Sequence, residues 1–517
     1  MTRWLTAVLL VAFLVALALR GSNLAERPMH NDEAVNAIKF RKLWEQGSYK
    51  YDPNEHHGPT LLFATLAVER LSGAPDFPHF TEARLRWVTV LFGLCLLLLL
   101  PGLVDALGRR GTGWAALFTA VSPALVFYSG YYIHESLLVA FSFLVLVAGW
   151  RYWRKRRLGW MLVAGAGLGL MSATKETFVI AIAAAAIALA LNQTWNRLID
   201  ASGLPVRAPR LNPWHLAAGA AVCLAVAVVF FTSFFTNREG LLDAVRTYGP
   251  WVHRAEGASP HIHPWTFYPH RLLFFHVGSG PIWTEGLIFV LALIAAWAGF
   301  ARRHLGRASA SFVRFLAFYT FLLTAFYSLI AYKTPWCLLG FWQGTVLLAG
   351  VGAAVLLRTL RKPVLQWGVG LLLLLGSAHL AWQSWAENTT YAADQRNPYV
   401  YAQTSPDLLD LVTQVQHLAA VAPEGKALTV QVAAPDGDYW PLPWYLRAFP
   451  RVGWWESAPP ADAAAWIVSP AFATGLAPAE PHSMGIFALR PNVFLELYVR
   501  PELWQRWVDS QQPAPKR

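Results

Sequence analysis

Stretches of about 20 mainly apolar residues recur along this chain. A segment of that kind crosses a hydrocarbon layer as a helix, because a helix satisfies its own backbone N–H and C=O groups where water is absent. We place such runs near residues 4–20, 85–104, 114–129, 137–150, 159–173, 177–191, 214–236, 286–300, 315–332, 338–357 and 364–382. They predict an α-helical polytopic membrane domain over residues 1–382, with about eleven helices. Composition agrees: 56% of the 517 residues are hydrophobic and 14% are charged, against roughly 25% charged in a soluble domain. The first run follows Met-Thr-Arg and stops at Arg20 without a small-residue cleavage site, which reads as a retained signal anchor.

After Trp385 the sequence turns polar and proline-rich, with no further apolar run. Ser405 followed by Pro406 opens an expected helix at 406–420, since serine caps a helix and proline suits its first position. The β-branched and aromatic segments 426–434, 465–470, 485–490 and 493–499 predict strands. Residues 383–517 are therefore expected to form a small α/β domain.

The formal net charge is +12, yet the basic residues gather between the apolar runs. Arg109-Arg110, Arg151–Arg157, Arg197–Arg210, Arg302–Arg314 and Arg358–Lys362 form one set of connectors, which the positive-inside tendency assigns to the cytoplasm. The opposite set includes large loops at 21–84 and 237–285, and it places 383–517 outside the cytoplasm. A multi-pass protein of the cytoplasmic membrane is expected, with membrane lipids as its surroundings. No soluble segment carries a basic face with interleaved aromatics, so nucleic acid is not an expected partner. Cys95, Cys223 and Cys337 lie in or beside apolar runs at spacings that suit neither zinc nor a disulfide framework.

The expected external connectors hold the residues capable of chemistry. Asp32 and Glu33 follow the first run by about ten residues. Either carboxylate could take a proton from an acceptor hydroxyl, or both could stabilise a helix N-terminus through the helix dipole. Glu55, His56 and His57 sit in a turn made by Pro53, Gly58 and Pro59, where they could bind a divalent metal or a pyrophosphate-like group, or remain solvated. His134 and Glu135 fall between two runs with almost no loop between, as do Lys175 and Glu176; they could contact substrate or pair with one another. Arg254 and Arg271 lie among aromatics in the 237–285 loop, and Lys333 ends a run within Tyr-Lys-Thr-Pro-Trp. These cations could hold a phosphate, although an end-of-helix lysine also snorkels. His261 and His263 lack a third ligand at a telling spacing.

Taken with the spans and the trailing domain, the first-loop Asp32-Glu33 and the acidic second turn resemble the GT-C superfamily of membrane glycosyltransferases, which includes protein O-mannosyltransferases and lipid A aminoarabinose transferases. More narrowly, NDEA, EHHGPTLLF, YIHESLLV, TKET, YKTPW and GDYWPLPWYLR resemble the flippase activity-associated proteins of bacteria and archaea. His134-Glu135 departs from the two-acid turn of oligosaccharyltransferases. The superfamily resemblance implies transfer of a sugar from a polyprenyl-phosphate donor to a lipid, glycan or protein acceptor on the non-cytoplasmic face. It implies Asp32 as general base with Glu33 in support. The leaving phosphate would be met by Lys333, Arg254, Arg271 or a divalent metal. The absence of a Gly-rich phosphate loop after a strand fits a lipid-linked rather than a nucleotide donor. Two other readings compete: a non-catalytic lipid-linked glycan binder or flippase partner, and a secondary transporter. Apolar runs almost free of Asp, Glu and Lys speak against the transporter.

Overall fold

The computed structural model describes residues 2–55, 57–198, 211–250 and 261–511. Among them, eight helices are long and apolar enough to cross a membrane: Arg3–Gly21, Glu82–Leu107, Glu135–Lys155, Phe178–Arg197, Pro213–Phe231, Ala310–Leu329, Pro335–Thr359 and Pro363–Asn388. A bent pair, Arg109–Val121 and Pro123–Ser129, passes the same test jointly, and Leu158–Ser172 and Gly286–Ala301 are shorter apolar helices. Each of the eleven expected runs thus contains helix, but eight, or nine with the bent pair taken as one, are long and apolar enough to span, and the run 214–236 leaves its helix at Phe231. The expected span 114–129 differs in that it breaks by 53°.

The break has a local cause and a local remedy. Pro123 brings no N–H to the helix ladder, so the helix stops at Val121 and restarts with proline at its first position. That orphans carbonyls on one side and amides on the other. Arg20, only 1% exposed, donates to the carbonyls of Thr119 at 2.7 Å and Ala120 at 3.0 Å, and Ser384 Oγ donates to that of Val121 at 3.0 Å. On the other side the Glu285 carboxylate accepts from Ser122 Oγ at 2.5 Å and from the Ala124 N–H at 2.9 Å. A cation at the C-terminal end and an anion at the N-terminal end are what the helix dipole favours. Arg20 therefore serves as an interior staple as well as marking the end of the first run.

Helix Pro335–Thr359 is the most enclosed of the apolar helices. Small residues let its neighbours in: a Cβ on Gly352 would lie 1.8 Å from the Leu291 carbonyl oxygen, and one on Gly350 would lie 2.5 Å from the Gly111 oxygen. Close backbone approach through glycine is how helices associate where lipid removes the hydrophobic drive.

The chain divides into two compact units. The first comprises Met1–Leu24, Gln46–Gly73 and Ala83–Tyr401; the second comprises Ala25–Glu45, Ala74–Glu82 and Ala402–Arg517. The expected division at 382–383 falls inside helix Pro363–Asn388, and two pieces of the expected first loop pack with the C-terminal segment. Within the second unit, β1 (Val430–Ala433), β2 (Val452–Trp455), β3 (Ala465–Val468), β4 (His482–Arg490) and β5 (Val493–Val499) form one sheet in the order β2-β1-β3-β5-β4. The β1 strand runs parallel to β2 and β3, and β5 antiparallel to β3 and β4. Helix Asp407–Val421 buries Leu408, Leu411, Val415 and Leu418, a stripe at helical spacing, in the same core as Val430, Val432 and Leu497. Ser405 Oγ accepts the Asp407 N–H at 3.3 Å, but the helix starts one residue later than expected, with Pro406 rather than Ser405 at its N-cap. The fold class is thus a largely helical chain with a small C-terminal α/β unit.

Candidate active site

In the second unit, Asp32 sits in the first turn of helix Asn31–Gln46. That turn is built by a reciprocal cap. The Asp32 N–H donates to His30 Nδ1 at 3.1 Å, while the His30 N–H donates to Glu33 Oε2 at 2.9 Å. This is a capping box with an imidazole in place of a hydroxyl, and it requires His30 Nδ1 to be the unprotonated nitrogen. Glu33 is fully buried, and its other oxygen lies 3.8 Å from Arg27 Nη2. Its carboxylate is thus committed to the cap. Asp32 is half-exposed, and its carboxylate accepts no hydrogen bond and joins no ion pair among the described residues. Of the two adjacent acids, Glu33 is therefore engaged in the cap through its carboxylate and Asp32 only through its N–H.

The first unit brings together the 57–60 and 173–177 segments. Gly58 N–H donates to Thr174 O at 3.0 Å and Thr60 N–H to Ala173 O at 3.2 Å, with His57 bridged to Lys175. Glycine is needed for this approach, because a Cβ on Gly58 would lie 2.0 Å from the Ala173 oxygen. His57 Nδ1 meets Glu176 Oε2 at 3.3 Å, and His134 Nε2–H donates to the Gly58 carbonyl at 3.1 Å. Burial alone would raise the Glu176 carboxyl, but His57 and Lys175 outweigh it and hold the group below its ordinary range. The buried Lys175 ammonium forms an ion pair with the buried Glu135 carboxylate. Burial opposes that charge on Lys175, and Glu135 together with Glu176 overcomes it, so its pKa stands above the ordinary lysine value. Of the two roles weighed for this pair, mutual pairing is the one the geometry displays. The Glu55 side chain and His56 lie outside the described residues, and His57 is engaged with Glu176. Among the described residues no three His, Cys, Asp or Glu side chains gather as a metal-ligand set.

A third cluster joins residues 261–263 to the turn after Ala310–Leu329. Lys333 N–H donates to His261 O at 2.8 Å and His263 N–H to Ala331 O at 3.1 Å, a short antiparallel pairing. Tyr401 places its hydroxyl between two imidazoles, 2.6 Å from His261 Nδ1 and 3.0 Å from His263 Nε2. The Lys333 ammonium donates to the carbonyls of His263, at 2.8 Å, and Ile330, which leaves one of its three N–H groups. Arg271 donates through Nη1 to Pro398 O at 3.0 Å and lies with Cζ 4.3 Å from the Phe267 ring centroid, while its Nε is buried without a partner among the described residues. Neither Lys333 nor Arg271 has a carboxylate partner among the described residues. Burial lowers the pKa of both. The same burial, with Arg271, His261 and Lys333 nearby, lowers that of His263. An uncompensated positive cluster beside aromatic rings favours an anion. Arg254 lies outside the described residues.

Tyr401 escapes a reading of the sequence. It follows Asn397-Pro398, which marks only a turn, and its two histidine partners lie 138 and 140 residues away. The alternation of Tyr399 with Tyr401 is the one local hint. Tyr399 donates its hydroxyl to Glu285 at 2.7 Å, which fixes the segment that carries Tyr401.

A family model described as dolichyl-phosphate-mannose-protein mannosyltransferase matches residues 69–239. No curated protein matches the sequence. Among solved structures, ArnT from Cupriavidus metallidurans in the apo state superposes with a TM-score of 0.60 at 16% identity, covering 95% of this chain and 97% of that one. The same protein bound to undecaprenyl phosphate gives 0.58 at 16% identity, covering 96% and 97%. The Archaeoglobus fulgidus oligosaccharyltransferase, tethered with an acceptor peptide, gives 0.56 at 14% identity; the match covers 87% of this chain and 64% of that one's length. At these identities the similarity is one of fold, and that fold is the GT-C type.

Proposed function

We propose that the chain is a membrane glycosyltransferase that moves a sugar from a polyprenyl-phosphate donor to a lipid, glycan or protein acceptor on the non-cytoplasmic face. The observation that carries the reading is the pair of cations, Lys333 and Arg271, left without an acid among the described residues, with Arg271 over the Phe267 ring. A buried cation without a counter-ion costs several kcal/mol, about the scale of desolvating an ion. Its retention is economical when an anion completes the site. The match to a mannosyltransferase family model, and a fold shared with a protein solved with undecaprenyl phosphate, support a lipid-linked anion as that ligand.

In the proposed reaction the acceptor hydroxyl oxygen attacks the anomeric carbon from the face opposite the phosphate. The new glycosidic bond forms as the bond from the anomeric carbon to the phosphate oxygen breaks, which inverts the anomeric centre. The hydroxyl proton passes to the Asp32 carboxylate. The departing polyprenyl phosphate gains a negative charge, and fixed cations that stabilise this charge do more for the rate than any other group such a site can hold. Lys333 and Arg271 take this role, with Arg254 as a further candidate. Glu33 holds the turn that carries Asp32, and Lys175 with Glu135 supports the first unit as a buried pair. A divalent metal at 55–57 is not needed for any of these steps. The protein is assigned to the cytoplasmic membrane, with residues 383–517 on the outside.

The reading is tested by binding undecaprenyl phosphate to the detergent-solubilised full chain. The wild type is expected to bind, and Lys333→Met with Arg271→Met to weaken binding by about 100-fold, from two charge-assisted contacts at roughly 1.5 kcal/mol each. Unchanged binding in the double variant would remove these cations from the carrier site. Binding without any sugar transfer would favour the non-catalytic lipid-linked glycan binder.

A further inference from the structure

We infer that Gln403, Thr404 and Tyr445 are positioning residues for the Asp32 carboxylate, so that the C-terminal segment holds the general base in place. The inference rests on the reading of Asp32 as that base. Its ground is the division of the chain, which groups residues 25–45 with 402–517 although some 360 residues separate them.

Three hydrogen bonds grip the two residues ahead of the cap. Gln403 Nε2 donates to Pro28 O at 2.9 Å, and Thr404 Oγ1 donates to Met29 O at 2.7 Å. The Met29 N–H donates to Tyr445 Oη at 2.8 Å. Both main-chain polar groups of Met29 are therefore claimed by side chains from the C-terminal segment. Pro28 and Met29 are buried, as are Gln403 and Thr404, so water does not replace a lost partner. The grip continues toward the acid through the cap: His30 N–H to Glu33, then Asp32 N–H to His30 Nδ1. Two further contacts fix the 74–82 piece to the same segment. Trp444 Nε1–H donates to Glu82 Oε1 at 2.8 Å, and Arg447 donates to the Phe80 carbonyl. Phe80 in turn packs edge-on against Phe40 of the Asp32 helix, with ring centroids 5.8 Å apart. The acid's helix is thus held at its N-terminus by hydrogen bonds and along its length by aromatic packing. A catalytic group works only within about 0.5 Å of its productive position, and these residues supply that constraint at a position where a surface loop would otherwise fray.

The experiment uses the full chain with Thr404→Val, Thr404→Ser and Tyr445→Phe, each alone and combined with Asp32→Asn. Transfer is read by mass spectrometry in membranes supplied with mixed polyprenyl-phosphate sugars, and amide exchange is read over residues 28–34 in detergent. Thr404→Val and Tyr445→Phe are expected to lower kcat about tenfold, the scale of a sub-ångström misplacement, with the apparent KM for donor within about twofold. Thr404→Ser restores the hydroxyl and is expected to recover the rate. In the Asp32→Asn background Thr404→Val should change nothing further, because its effect passes through the lost base. Exchange at 28–34 should quicken in both variants while peptides from the apolar helices stay unchanged.

Wild-type exchange at 28–34 in Thr404→Val and Tyr445→Phe overturns the inference whether or not a substrate is found. So does an equal rate loss with and without Asp32. Full activity in these two variants alongside an inactive Asp32→Asn overturns the inference and leaves the base assignment standing. Full activity in Asp32→Asn overturns both.

Discussion

Substituting Lys175 by methionine strands the Glu135 carboxylate in a buried site, and the cost can be worked from the geometry. Both side chains are at most 7% exposed and they form a direct ion pair. Removing one partner of such a pair costs about 3–5 kcal/mol, because the remaining charge keeps its desolvation penalty and loses its compensation. Converted at roughly 2 °C per kcal/mol, the low end for larger domains, this lowers the unfolding midpoint by about 6–10 °C. Glu135→Gln strands the ammonium instead and should behave similarly. The double variant Lys175→Met/Glu135→Leu fills the same space with apolar groups, and such replacements are about neutral or stabilising. It should unfold within about 3 °C of the wild type, on the same conversion. The assay is intrinsic fluorescence on heating the solubilised chain, at one scan rate because large proteins often unfold irreversibly. Two outcomes refute the reasoning: single variants as stable as the wild type, or a double variant no better than the singles.

Two pH dependences follow from the shifted groups. Burial lowers the Lys333 pKa, so its charge disappears sooner on alkalinisation than that of an ordinary lysine; undecaprenyl phosphate binding should weaken as pH rises toward that lowered value, and Lys333→Arg should extend binding to higher pH, as titrated by ligand competition. The Glu176 carboxyl is held below its ordinary range by His57 and Lys175 against the effect of burial. A lowered carboxyl contributes stability that is present above its unfolded value, about 4.3, and is lost as pH falls through the folded value. The wild-type unfolding midpoint should therefore drop over that acidic interval, and Glu176→Gln should show a shallower drop there.

Apolar length carries most of what the sequence reveals about the helices. Each expected run contains helix, and a helix satisfies its own backbone groups where water is absent. Pro123 within the run 114–129 is the visible sign of the 53° break. The roles of Arg20 and Glu285 are hidden, since the carbonyls and amides they satisfy belong to helix ends about 100 and 160 residues away. In the second unit the helix stripe and four strands follow from local pattern, whereas β2 carries Gly453, a residue depleted in strands, in its middle. At the candidate site the residue types are legible and their partnerships are not. Asp32 and Glu33 are equivalent as letters; only the reciprocal cap tells the committed acid from the available one. Likewise Lys175 and Lys333 both lie between apolar runs, yet one faces Glu135 and the other faces main-chain carbonyls. Nothing in the local pattern announces that residues 25–45 pack with 402–517, because that grouping depends on contacts across most of the chain.

The central claim is that Asp32 takes the acceptor proton during sugar transfer. Its most direct test compares wild type with Asp32→Asn in membranes supplied with polyprenyl-phosphate sugars, with glycosylated lipids and proteins scored by mass spectrometry. The expected result is a product in the wild type that falls by at least about 100-fold in the amide variant, the lower end of a general base's contribution, while undecaprenyl phosphate binding is retained. Equal product from both proteins would contradict the claim.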